Sequence, residues 1–139
     1  KQKRYDVFKN TIKYLQSNYP QYNFEPLLMI NIERSKVPYY FNAADLHLLT
    51  SDYEGSPNSV KESIFCNTPV VSTNVGNVED IFNSLPGCFI SKSNSPSELS
   101  KLVIKAINFT KFEGRKILIK KAYSIKNVAI KLKNIYNEL

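Results

Sequence analysis

Two rhythms of apolar residues run along this chain. From Asp6 to Tyr19 they fall at Val7, Phe8, Ile12, Tyr14, Leu15 and Tyr19, a helical spacing that Pro20 ends. Pro26–Ile32 is a continuous apolar run between polar neighbours, the pattern of a strand buried on both faces. Ser35–Asn42 then predicts a short helix with Ser35 as its cap. Asp45–Thr50 predicts a second buried strand, and Glu54–Asn58 a turn opening a helix to about Asn67. Pro69–Thr73 follows as a third strand, Gly76 as a break, and Val78–Phe82 as a short helix. Gly87–Ile90 makes a fourth, short strand. Ser95 caps and Pro96 begins a helix to about Phe109, and Gly114–Leu139 carries one or two more.

Short strands alternating with helices imply parallel strands joined by right-handed crossovers. The expected fold is therefore α/β: one domain over residues 1–139, a doubly wound, Rossmann-like parallel sheet with helices on both faces. Such sheets bind ligands beyond the carboxyl ends of their strands, here the turns at Ser51–Asn58 and Asn74–Asn77. The chain opens on a helix instead of a central strand, which predicts a piece of a longer protein.

Composition narrows the classes. A 139-residue chain with 42% hydrophobic residues holds a proper core. Cys66 and Cys88 form no Cys-x-x-Cys and there is one histidine, so no disulfide framework or common zinc site is expected. No apolar run approaches the roughly 18 residues of a membrane span, and Lys1–Asp6 leads into no signal core, so a cytoplasmic protein is expected. The net charge of +7 is uneven: residues 1–91 carry −1, whereas residues 92–139 carry eleven Lys/Arg against three Glu. That C-terminal excess reads as solvated helix faces or as a basic surface facing the inner leaflet of a membrane. Nucleic acid is disfavoured, because only three of nineteen basic residues are arginine and no stacking motif accompanies them.

The chemistry concentrates in Ser51–Glu62. Gly55 permits a positive φ or a close backbone approach, Ser56 caps, and Pro57 fits a first helical position. The amides of Asn58, Ser59 and Val60 then leave a helix N-terminus, an anion site suited to phosphate. Glu54 and Glu62 flank it, and a carboxylate accepts two hydroxyl hydrogen bonds at once, which suits a sugar or ribose diol. The bland alternative is a capped helix with two solvated glutamates.

These blocks, in order with Ala43-Ala44-Asp45 before them and Pro69–Gly76 after, resemble the C-terminal domain of the retaining GT-B glycosyltransferases of family 4, the glycosyl transferases group 1. The resemblance covers residues 1–110, with Tyr123–Leu139 similar to the closing helices. It implies a donor-binding domain whose N-terminal acceptor partner domain is missing, and a nucleotide-sugar such as a UDP- or GDP-sugar as donor, with no metal or other cofactor. It implies that Glu54 contacts the donor sugar and Glu62 the ribose. The amides of Gly55, Ser56 and Asn58 would line sugar and diphosphate, Val60 would pack near the nucleotide, and Asn31 and Ile32 would meet the base. Lys3 matches the family's diphosphate-stabilising lysine; the arginine of that motif has no counterpart. His47 reads as a core or sheet-face residue and the cysteines as packing residues. A rival reading, a non-catalytic receiver-like signalling module, needs a phosphorylatable strand-end Asp and a strand-end Lys, and neither is found.

Overall fold

The computed structural model describes residues 2–138. Three strands, β1 (His47–Leu49), β2 (Val70–Thr73) and β3 (Phe89–Ser91), form a parallel sheet in the order β1-β2-β3. Leu48 lies opposite Val71, and Ser72 opposite Ile90. Around the sheet lie α1 (Tyr5–Asn18), α2 (Val37–Ala43), α3 (Asn58–Phe65), α4 (Val78–Phe82), α5 (Pro96–Ile107), α6 (Gly114–Lys120) and α7 (Ile125–Asn137).

Both faces of the sheet are covered, because β2 is buried at all four positions and its side chains alternate. Val70 joins Val60, Ile64, Val78, Ile81 and Leu118 from α3, α4 and α6. Val71 joins Val7, Leu15, Leu99 and Val103 from α1 and α5. Fully buried aliphatic side chains of this kind contribute roughly 1.5–3 kcal/mol each. The α/β class with a parallel sheet and helices on both faces is the one the alternation predicts. No helix among the described residues is long and apolar enough to cross a membrane.

Three local expectations are corrected. Pro26–Ile32 is not a strand, and Leu27, Leu28, Met29 and Ile30 are exposed. A strand needs a ladder as well as apolar side chains; here the Ile30 amide turns back to the Leu28 carbonyl, and Asn31 takes a φ of +54°. Ser35 sits inside a short 3-10 turn, Arg34–Lys36, and its hydroxyl donates to Glu33 instead of capping. Pro57 is the N-cap of α3, one place earlier than predicted, with extended backbone at φ −67° and ψ 111°. Its missing N–H is as harmless there as at the first helical position. Gly114–Leu139 forms two helices, within the one or two expected, divided where Ala122 takes a φ of +62°, with Leu139 outside the described residues.

The two C-terminal helices differ. Leu118 of α6 is fully buried, whereas α7 buries no residue. α6 also spends two of its flanking charges on structure. Arg115 donates from its backbone to Asn67 and from Nε to the Phe65 carbonyl, at the end of α3. Lys121 Nζ donates to the carbonyls of Asp80, Ile81 and Asn83, at the end of α4. A cation at a helix C-terminus satisfies orphan carbonyls and opposes their partial negative charge.

Candidate functional site

The carboxyl end of the sheet is held by hydroxyl groups placed just past or at the strand ends. Thr50 Oγ1 donates to the carbonyls of Lys3 and Arg4, both at 3.1 Å. Thr73 Oγ1 donates to the Ser51 carbonyl at 2.6 Å, and Ser91 Oγ to that of Ser93 at 2.6 Å. Thr50, Ser51, Thr73 and Ser91 are all buried, so these bonds form away from competing water. The segment before α1 is stitched to the turn after β1 in the same way. The Asp52 amide donates to the Gln2 carbonyl at 3.0 Å, and Gln2 Nε2 to the Tyr53 carbonyl at 2.9 Å. Arg4, at a φ of +44°, reaches Asp52 with Nη1 at 2.9 Å and Asp6 with Nη2 at 2.9 Å.

This framework brings Lys3 and Glu54 together. Lys3 Nζ donates to Glu54 Oε1 at 2.5 Å, and Ser51 Oγ donates to the same oxygen at 2.8 Å. Burial alone would raise the Glu54 carboxyl. The hydrogen bonds from Lys3 and Ser51 and the lysine's charge outweigh it, and the net direction is down. Glu54 is therefore an ionised, oriented acceptor at neutral pH. The Lys3 ammonium keeps two further donors for a ligand.

Glycine acts here at a different position from the one predicted. Gly55 has no positive φ, and a Cβ on it would meet open space. Gly76 carries the constraint: its φ is +54°, and a Cβ there would run into the Gly55 carbonyl oxygen and come within 2.8 Å of that of Glu54. The Asn77 amide donates to the Gly55 carbonyl at 3.2 Å, so the loop after β2 props the turn that presents Glu54. Sequence reasoning reads Gly76 as a break and not as the prop of the Glu54 turn, and gives no role to the hydroxyls of Thr50 and Thr73. The available signal was a hydroxyl residue at the end of each strand, followed after β2 by a single glycine.

At α3 the amides of Asn58, Ser59 and Val60 are the first three of the helix, and the Lys61 amide is the first to bond back, to the Pro57 carbonyl. Ser56 is no cap; its Oγ accepts from Lys61 Nζ at 3.0 Å. The Val60 side chain is fully buried in the core, which leaves only its amide for a ligand. Glu62, in the second turn, has no ion-pair or side-chain hydrogen-bond partner among the described residues.

A groove of about 970 Å³ opens beside α3, walled by β1, α1, α2 and Pro26–Ile32. Lys3, Asn31, Ile32, Ser59 and Glu62 all line it. So does His47, whose ring lies tilted against that of Phe41 at 5.3 Å between centroids and leaves Nδ1 buried without a partner. Burial and the charge of Lys3 push the His47 pKa down to about 4. A smaller cavity of about 230 Å³ lies at the carboxyl ends of the strands, lined by Ser51, Asp52, Thr73, Asn74 and Lys92 among others. Burial pushes the Cys88 thiol up to about 12 and raises that of Cys66, so neither supplies a thiolate nucleophile at neutral pH. Among the described residues no three of His, Cys, Asp and Glu come together as metal donors.

Residues 27–125 match the family described as glycosyl transferases group 1. No curated protein sequence matches the chain. Among solved structures, sucrose-phosphate synthase from Thermosynechococcus elongatus is similar, with a TM-score of 0.71 at 16% sequence identity. The similarity covers 95% of this chain and 34% of that one, so the chain spans about a third of the enzyme's length. At this identity the likeness speaks for the shared fold.

Proposed function

The chain belongs to the glycosyl transferases group 1, and we propose that it is the C-terminal, donor-binding domain of a retaining GT-B transferase of family 4. One observation supports this most: Lys3, Asn31, Ile32, Ser59 and Glu62, all singled out from the sequence, line one groove that runs to the N-terminus of α3. In this reading Glu62 accepts the ribose hydroxyls, and Asn31 and Ile32 face the base through their backbone. The diphosphate lies against the amides at the start of α3, with the open space beside Gly55 admitting the sugar. Glu54, held ionised by Lys3 and Ser51, accepts the sugar's hydroxyls.

The reaction follows from those placements. As the bond from the anomeric carbon to the diphosphate breaks, negative charge grows on the departing phosphate. Oriented amides, the positive end of α3 and the free donors of Lys3 stabilise that charge more than the ground state. An acceptor, a glycan or a lipid-linked sugar, is supplied from an N-terminal domain. Without that domain the chain binds donor weakly and transfers nothing. The lysines of the C-terminal helices rest on an anionic membrane surface where the acceptor is lipid-linked.

Isothermal calorimetry with UDP, GDP and ADP tests the reading: at least one releases binding heat on the folded chain. No heat from any of the three refutes it.

A further inference from the structure

The chain leaving β1, β2 and β3 walls the smaller cavity, about 230 Å³, at the carboxyl ends of the strands. Asp52, Asn74, Lys92 and Asn94 bring polar side chains to that wall. Arg4 Nη1 holds Asp52 Oδ1 at 2.9 Å, and Asn94 Nδ2 donates to the same oxygen at 3.0 Å. Asn74 Nδ2 donates to Glu79 Oε1 at 2.7 Å. Both amide groups are thus oriented through their N–H bonds, while their carbonyl oxygens accept nothing among the described residues. Asp52 Oδ2 takes one longer bond, 3.2 Å from Arg4, and Lys92 Nζ pairs with no carboxylate among the described residues. We propose that this cavity binds one sugar ring of the acceptor, with Asp52, Asn74, Lys92 and Asn94 holding its hydroxyls.

The bonds left unmade select the ligand. Most are acceptor positions on oriented oxygens, so the ligand must bring donors of its own. Asp52 and the free carbonyl oxygens repel an anion. A metal cation would meet one carboxylate, already paired with Arg4, and the ammonium of Lys92 beside it. A neutral polyhydroxy ring satisfies both kinds of group, because a hydroxyl donates to the oxygens and accepts from Lys92. The volume lies below the ~300 Å³ at which pockets for drug-sized ligands begin, which limits the occupant to about one ring. Position gives that ring its role. Ser51 lines the cavity and donates to Glu54 Oε1 at 2.8 Å, so the ring sits beside the carboxylate that receives the donor sugar. Transfer needs the donor and acceptor rings held side by side. The acceptor role rests on the donor-site reading; the sugar site itself does not.

NMR titration of the folded 139-residue chain with D-glucose, D-mannose and N-acetyl-D-glucosamine tests this without nucleotide. At least one sugar should give saturable shifts at residues 92–94 and at the side-chain amides of Asn74 and Asn94, with a Kd on the order of millimolar. Asn94→Leu and Lys92→Met should each weaken that binding roughly three- to tenfold, the loss of one or two hydrogen bonds. Lys92 is exposed and carries no structural bond from its side chain, so its variant keeps the fold should Asn94→Leu loosen Asp52. No saturable shift from any of the three sugars overturns the proposal, and so do shifts confined to Gly55–Glu62. Inorganic phosphate binding the same residues as tightly overturns it too, since the site is then ionic. UDP, GDP and ADP supply the second arm. A nucleotide and a sugar bound together support the acceptor role, whereas competition between them overturns it. Nucleotide binding without sugar binding sinks this proposal and spares the donor site. Sugar binding without nucleotide binding sinks the donor-site reading and the acceptor role with it, and the sugar site stands.

Discussion

The turn that presents Glu54 and the groove beside Glu62 are eight residues apart in sequence and built in opposite ways. Around Glu54 every neighbour is committed: Lys3 and Ser51 hold its carboxylate, Thr73 and Asn77 hold the turn's backbone, and Gly76 packs against it. Around Glu62 bonds are left unmade, with a carboxylate lacking a partner among the described residues and the buried Nδ1 of His47 unsatisfied. A preorganised acceptor suits a group whose charge must be correct before the ligand arrives. Unmade bonds suit a contact that the ligand itself completes.

The rigid turn around Glu54 is the more sensitive of the two to substitution. Gly76→Ala places a Cβ in the Gly55 carbonyl at a left-handed backbone position and should cost on the order of 3 kcal/mol in urea unfolding. An unchanged midpoint would show the turn to be softer than described. On the groove side, Glu62→Ala should weaken nucleotide binding roughly 10–100-fold, the loss of hydrogen bonds to a charged acceptor. Glu54→Ala should leave free nucleotide untouched and weaken the nucleotide-sugar. Calorimetry with both ligands separates the two glutamates, and equal losses would erase the distinction.

His47 gives a pH signature. Unfolded, it takes a proton near pH 6.5; folded, it resists until about pH 4. The unfolded chain therefore binds more protons in that window, and stability present above pH 6.5 is lost as pH falls toward 4. The effect should be on the order of 2 kcal/mol, discounted because the residue as a whole is only half-buried, and His47→Phe should flatten it in unfolding curves measured across that range. The smallest effect is expected for Lys3→Met. An exposed lysine in an ion pair contributes less than about 1 kcal/mol to stability, but the Glu54 carboxyl should rise toward its ordinary value, read by NMR titration.

Where pattern alone decides structure, the sequence was readable. Val70–Thr73, which follows Pro69, and Val78–Phe82, which follows the break at Gly76, are short segments marked off by proline or glycine, and they stand where the pattern places them. Pro26–Ile32 was misread because an apolar run states which side chains avoid water, not which backbone supplies the ladder. The start of α3 moved by one residue because Pro57 satisfies two adjacent cap positions equally well. Lys3 and Glu54 could be joined only through family resemblance, as nothing local spans the 51 residues between them. The roles of Arg115 and Lys121 had no sequence signal at all: each charge answers a helix end far away in the chain.

Arg115 has one more effect, on the field at the opposite end of α3. A helix of eight residues is about 12 Å long, so an anion at its start feels both poles, and the far one partly cancels the near. By donating to the Phe65 carbonyl, Arg115 places a cation on the negative pole. What remains at Asn58 is closer to a lone positive charge than to a dipole, and its attraction fades with distance more slowly. The attraction offered to a phosphate at one end of α3 is thus set partly by a side chain at the other.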